Sequence, residues 1–539
     1  MQDTSPAFPK KVHAVQLPIT QLPVIPNKCA RNGHVSMFFI RCTTHSLWGC
    51  FLNRNRARIA ILLLLLCGPG TLLLPAQIAQ NPPGMGIPAS NSLVGDTGPL
   101  AREAQEWLVE LIKINTTNPP GNELAAAKYI AAILTKEGIT SEFLDLTPGR
   151  SALVARLRNN AVPDPSKALL LVAHMDVVGV DRSKWSVDPF GGVIKDGYIY
   201  GRGASDDKGM LVANLAAFIA LKRAGVHLNR DVIFLATADE EQFGDASMKN
   251  LIAKYWDKFA AAYALNEGGK VVVKNGKVQY VAVQASEKVA MNATVSATGT
   301  GGHASIPLKD NPVVHLSAAV AKIGDYTAPV HLTSITRRYF EALSAIEDDE
   351  IAKWMRVIDS GDRAEHAQRV LSDTDPLWNS MMRDTVSPTM LQAGIRANVI
   401  PSVATANLNI RLLPGDSSEA LLSDLRKLVN DPAVKIELQP DAGLAAPNSS
   451  IETDFYGTIT KVSAQEFGGA PVLPFMSTGA TDSAQLRLHS VQAYGLRPFP
   501  LTEDDDRRMH GNDERVPVAA FAKGVDLITR IVAEYCVTR

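Results

Sequence analysis

Three neighbouring stretches limit what this chain can fold into. They are the apolar run "ALLLVAHMD" (168–176), the helical stretch "KGMLVANLAAFIALKRAG" (208–225) and a second apolar run, "DVIFLATADEE" (231–241). Runs of strand length with no polar face fit strands covered on both sides. A long helical stretch between two such runs fits a crossover helix lying on the sheet. "SALVARL" (151–157) and "AYALNEGG" (262–269) extend the series. The predicted fold class is therefore α/β, with a mixed, largely parallel sheet covered by helices. In sheets of this kind the chemistry gathers at the carboxyl ends of the strands.

A chain of 539 residues is too long for one simple core, so two or more domains are expected. The texture changes near residue 288. "EKVAMNATVSATGTGG" alternates like a half-exposed strand, a helix "NPVVHLSAAVAKIG" follows, then a charged helix-like stretch around 339–370, then the strand pair "QAGIRANVIP" and "ATANLNIRLLPG". These features predict a smaller α+β domain over 289–413, inserted between body segments 100–288 and 414–539. Residues 1–99 read as an extension. Within it "RNRARIAILLLLLCGPGTLLLPAQIAQ" sets a basic run before a short apolar core, the order of a secretory signal spanning about 54–79. Glycine and proline break that core too much for a good membrane span. Export to the periplasm or the exterior is expected, with an uncleaved membrane anchor as the rival. Residues 80–99 read as a linker.

Net charge is −1 with 20% charged residues, so no basic excess points to a nucleic-acid partner. Four of the five cysteines precede residue 68 and the fifth is Cys536. The body can hold neither an internal disulfide nor a cysteine-rich zinc site, and any metal there must be held by His, Asp and Glu.

Those residue types stand where the sheet would gather its chemistry. "LLLVAHMD" ends in His174 and Asp176, "LATADEE" in Asp239, Glu240 and Glu241, and "ALNEGG" carries Glu267. The glycine-rich turn "GRGASDDKG" carries Asp206 and Asp207, and "RRMHGNDE" offers His510. Each alone has an ordinary explanation as a hydrogen-bonded pair or a solvated edge. Together, carboxylates converging on strand ends would repel one another unless cations sit among them. Histidines mixed with carboxylates suit zinc, manganese or cobalt better than calcium or magnesium. Spacing alone does not choose between Asp206 and Asp207.

"HMDVV", "GRGASDDKG", "ADEEQFG", "NEGG", "GGHASIP", "NVIPS", "STGATDS" and "HGNDERV" occur in the order seen in the co-catalytic zinc aminoacylase/carboxypeptidase family, which the chain resembles over roughly 100–539. The resemblance is nearest the carboxypeptidase S branch. It implies a zinc-peptidase catalytic domain with an inserted lid or dimerisation domain. It also implies two Zn²⁺ per subunit, with Co²⁺ or Mn²⁺ as substitutes, held by His174, Asp206, Glu241, Glu267 and His510, with Asp206 bridging. Asp176 would orient His174, Glu240 would be the general base, and His303 would stabilise the oxyanion, in some relatives across a dimer interface. Asn398, Arg411 and Gly479, with Thr478 and Thr481, match segments that contact substrate. Asp207 is left for capping the helix that starts near Lys208. Asp188 and Asp239 receive no role, and His227, His315, His331, His366 and His489 are expected to be structural or exposed.

The implied activity is hydrolysis of an amide bond of short peptides or N-acyl amino acids by a metal-bridged water. Aminoacylase or desuccinylase specificity, and a non-catalytic metal-binding homologue, are the alternatives. A small peptide or N-acyl amino acid is the expected partner, and the inserted domain leaves room for a homodimer.

Overall fold

A computed structural model describes residues 95–159, 164–440, 443 and 445–538, and the signal-like segment lies outside them. The run "LLLVAH" becomes the strand Leu169–His174, buried along its whole length. It pairs in parallel with Val232–Thr237 on one side and Tyr263–Asn266 on the other. Gln492–Gly495 continues the parallel set beyond Tyr263–Asn266. Antiparallel strands flank this centre: Arg150–Leu157 and Ser141–Thr147 at one margin, Lys277–Glu287 and Lys270–Lys274 toward the other. Val472–Ser477 and Pro500–Leu501 add parallel pairs and complete a ten-stranded mixed sheet.

The helix Lys208–Ala224 is buried at every position from Lys208 to Leu221. A helix apolar on all sides belongs in the interior. It packs between the sheet and the helices Gly98–Lys113 and Val518–Cys536. It stops at Gly225, whose φ of +61° is left-handed backbone that glycine adopts without strain.

A second, four-stranded antiparallel sheet carries Thr385–Ala393, Val403–Leu412, Val289–Thr298 and Val434–Leu438, in that order. Burial alternates residue by residue along Val289–Thr298, as its polar-apolar alternation predicts. The helices Pro312–Gly324 and Ser418–Val429 cover its inner face and share a separate apolar core.

Two expected boundaries move. The smaller unit does not end at 413, because Leu421, Leu422, Leu425, Val429 and Ile436 complete its core. Nor does it contain the helix-like stretch around 339–370. Tyr339, Phe340, Leu343, Met355 and Leu371 join the core of the large sheet instead, and the helix Ser334–Leu343 packs on Val472–Ser477. Charged outer faces concealed the apolar stripes that decide which core these segments serve.

Candidate active site

His174 is the last residue of its strand, and Glu240 and Glu267 follow the ends of the two strands beside it. Parallel pairing therefore delivers an imidazole and acids from three strands to one edge of the sheet. Asp206 comes from the turn ahead of the buried helix, and His510 from the loop before the strand Arg515–Pro517.

Asp206 lies between the two histidines. Its Oδ1 is 3.1 Å from His174 Nε2 and its Oδ2 is 2.9 Å from His510 Nε2. His510 Nε2 is also 3.3 Å from Glu241 Oε2, while His174 Nε2 is 3.9 Å from Glu267 Oε1 and 4.0 Å from Glu240 Oε2. Two overlapping groups, His174/Asp206/Glu241 and His174/Glu240/Glu267, bring ligand atoms within 4.8 Å of one another. Four of the five residues expected to hold metal, His174, Asp206, Glu241 and Glu267, fall in these groups together with Glu240, and His510 joins them through its contacts with Asp206 and Glu241.

The cluster draws positive charge. Burial works against the Asp206 carboxylate, yet the two imidazoles hold it well below the usual range. Hydrogen bonds to Asp206 and Glu241 raise His510 to about 10. Burial, reinforced by neighbouring acids, pushes the Glu240 and Glu267 carboxyls well above theirs. Buried Oε1 atoms of Glu240 and Glu241 have no hydrogen-bond partner. Crowded carboxylates, two imidazoles and spare oxygens facing inward are a donor set that fits divalent transition-metal ions.

Asp176 supports this set differently from expectation. His174 Nδ1 is 2.9 Å from the Asp176 carbonyl oxygen and 3.6 Å from its carboxylate. The carboxylate instead accepts the backbone N–H groups of Glu240 and Glu241, each at 3.2 Å, and the Asn118 side chain at 2.8 Å. Asp176 thus fixes the imidazole through its backbone and the "DEE" turn through its side chain.

Asp207 also departs from expectation. It occupies the N-cap position, but its side chain makes no capping bond. Its Oδ2 turns back to the His174 backbone N–H at 3.4 Å. The carboxyl group is fully buried, and burial pushes its pKa well above the usual range.

The cluster opens into a cavity of about 360 Å³ lined also by Phe243, Leu377, Arg411, Phe475, Thr478, Gly479, Thr481, Arg497 and Met509. Arg411 and Gly479 are thus brought to the cavity wall. His303 and Asn398 are not. His303 ends the short strand Gly302–His303 of the smaller unit, and Asn398 directly precedes its partner strand Val399–Ile400; both residues are exposed, and Ala304 N–H donates to the Asn398 carbonyl.

Several supporting residues escaped the sequence reading. Glu514 is fully buried, pairs with Arg202, and accepts the backbone N–H groups of Ser205 and Asp206 at 2.8 and 3.1 Å. Glu514 lies in "HGNDERV", where one acid among several polar residues carries no separate signal. Asp239 accepts from Asn118 at 2.8 Å and Arg150 at 3.0 Å, bracing the turn before Glu240. Asp239 and His510 both adopt left-handed φ, +62° and +60°, an uncommon conformation for residues other than glycine.

The sequence profile of Peptidase family M20/M25/M40 matches residues 170–534. A Dictyostelium discoideum protein named Probable carboxypeptidase S-like 2 is 31% identical over 376 residues, 68% of this chain and 71% of that one. Human N-fatty-acyl-amino acid synthase/hydrolase PM20D1 is 28% identical, with 68% of this chain and 74% of its own covered. The crystal structure of the M20 family metallo-carboxypeptidase Sso-CP2 from Sulfolobus solfataricus superposes with a TM-score of 0.62 at 21% identity, covering 80% of this chain and 99% of that one. Human carnosine dipeptidase 1 gives 0.59 at 19% identity, with 81% and 96% covered. With the profile spanning more than half its length, this chain belongs to Peptidase family M20/M25/M40.

Proposed function

We propose that this peptidase hydrolyses the amide bond next to a free C-terminal carboxylate, in short peptides or N-acyl amino acids. The observation that carries the reading is Asp206 set between His174 and His510, with Glu240 beside them at the head of a cavity holding Arg411. His174, Asp206, Glu241, Glu267 and His510 would hold two zinc ions, with cobalt or manganese as substitutes. Such a pair supplies Lewis acidity and lowers the pKa of water toward neutrality. Glu240 takes the proton of the attacking water and returns it to the leaving amine. Arg411 would pair with the substrate carboxylate, and the backbone at Gly479 would border the acyl side. Because His303 lies outside the cavity of its own chain, an oxyanion role for it calls for a second copy. The signal-like N-terminus supports export.

Phe243, Leu377, Phe475 and Met509 on the wall favour an apolar acyl group, in line with the N-fatty-acyl name of the human relative. The test is hydrolysis of paired dipeptides and N-acyl amino acids by the purified chain, with and without chelator. Chelator-sensitive turnover is expected, and Glu240→Gln should lose about 10²–10⁴ in kcat while keeping its metal. Turnover that survives either treatment would rule the reading out.

A further inference from the structure

The chain passes from the large sheet to the small one where Lys277–Glu287 gives way to Val289–Thr298. It passes again where the helix Pro376–Met382 gives way to Thr385–Ala393. Lys288 is the linking residue of the first passage and is 1% exposed. Its Nζ donates to the carbonyls of Ser380 at 3.0 Å and Arg383 at 2.8 Å, and to Thr385 Oγ1 at 3.2 Å. One side chain therefore ties the two passages together. Thr385 lies directly across the ladder from Arg411, and so does Ala290 on the other side.

The preceding residue faces the other way. Buried Glu287 accepts the Thr481 N–H at 3.2 Å and the Thr481 hydroxyl at 2.8 Å, with Arg487 at 2.9 Å and Gln284 at 2.6 Å. The Lys288 backbone N–H donates to the Ser477 carbonyl at 2.9 Å. Glu287 thus holds the 477–481 wall of the cavity, on the large sheet. Lys288 holds the start of Thr385–Ala393, the strand paired with the one that carries Arg411, on the small sheet.

We infer that Glu287 and Lys288 form the joint that sets the spacing between the two walls of the substrate cavity, with Lys288 as the positioning residue for Arg411. Two adjacent residues of one extended chain cannot change their separation, so the loop and Arg411 are gauged against a common point. A cation that must meet a carboxylate at one end of a substrate, while the amide meets Glu240, needs such a gauge. The inference rests on the reading that Arg411 takes the substrate carboxylate. Lys288 never reaches the cavity itself, which is lined by Arg411 and residues 477–481.

The experiment compares kcat and KM of the full chain on an N-acyl amino acid and on its carboxamide, for wild type, Arg411→Met, Lys288→Met and the double variant. Lys288→Met is expected to raise KM for the acid about tenfold, leaving kcat and metal content near wild type and the carboxamide unaffected. The double variant should lose no more than Arg411→Met alone, since both act through one contact. Equal losses on acid and carboxamide, or additive losses in the double variant, would overturn the inference. Should Lys288→Met fail to fold, Thr385→Val removes one partner only. It should shift the acid-to-carboxamide ratio in the same direction, and an unchanged ratio overturns the joint. If Arg411→Met itself leaves that ratio unchanged, the carboxylate reading fails. If Arg411→Met abolishes the preference while both joint variants keep it, only the joint fails.

Discussion

Adjacent aspartates divide their work here: Asp206 offers one oxygen to each imidazole, and Asp207 turns back to the His174 backbone. Asp206→Ala should therefore lose metal and activity together. Asp207→Asn keeps the size of a side chain that burial already favours in its neutral form, so it should retain metal. Metal analysis of the two purified variants checks this, and equal metal loss would mean a shared role. A second expectation concerns protons. With its pKa raised to about 10 by Asp206 and Glu241, His510 is protonated at pH 7 in the metal-free protein. Coordination needs the lone pair, so loading must release that proton, and affinity should strengthen as pH rises toward 10. Calorimetry in two buffers of different ionisation enthalpy measures the release; none at pH 7 would remove His510 from the ligand set.

At the scale of elements, the site depends on loops tied to one another more than on the strands alone. Glu514 joins the loop after His510 to the "GRGASD" turn through Arg202 and two backbone N–H groups. Glu514→Ala would leave Arg202, 2% exposed, as an uncompensated buried charge. The expected cost is about 3–5 kcal/mol, read by urea unfolding. A loss under 1 kcal/mol would mean that water reaches Arg202. Gly268 shows the same dependence in steric form. At φ +107° it lies so near Gln284 that an added Cβ would fall 1.6 Å from the Gln284 Oε1 atom, which keeps the turn after Glu267 close to the neighbouring strand.

Across the whole molecule, two sheets with separate cores meet around one cavity, and crowded acids lie at its head. Metal that binds the folded chain alone should stabilise it by mass action. Chelation should lower the melting temperature, and added zinc should restore it in a concentration-dependent way; a melting temperature indifferent to both would argue against a structural contribution from metal. The large sheet and the ends of its strands were legible in the sequence, because fully buried strands write themselves as unbroken apolar runs and their terminal acids stand out. The metal-site candidates were legible as a set for the same reason. Choosing Asp206 over Asp207 rested on family spacing, and only tertiary structure displayed the reason, one carboxylate facing two imidazoles from distant segments. The placement of Arg411 on the cavity that Glu240 also lines, the exclusion of His303 and Asn398 from that cavity, and the joint at Glu287 and Lys288 were also decided there. Each depends on contacts between residues far apart in the chain, and local patterning carries hydrophobic period and turn chemistry but no record of which distant side chain comes to meet which.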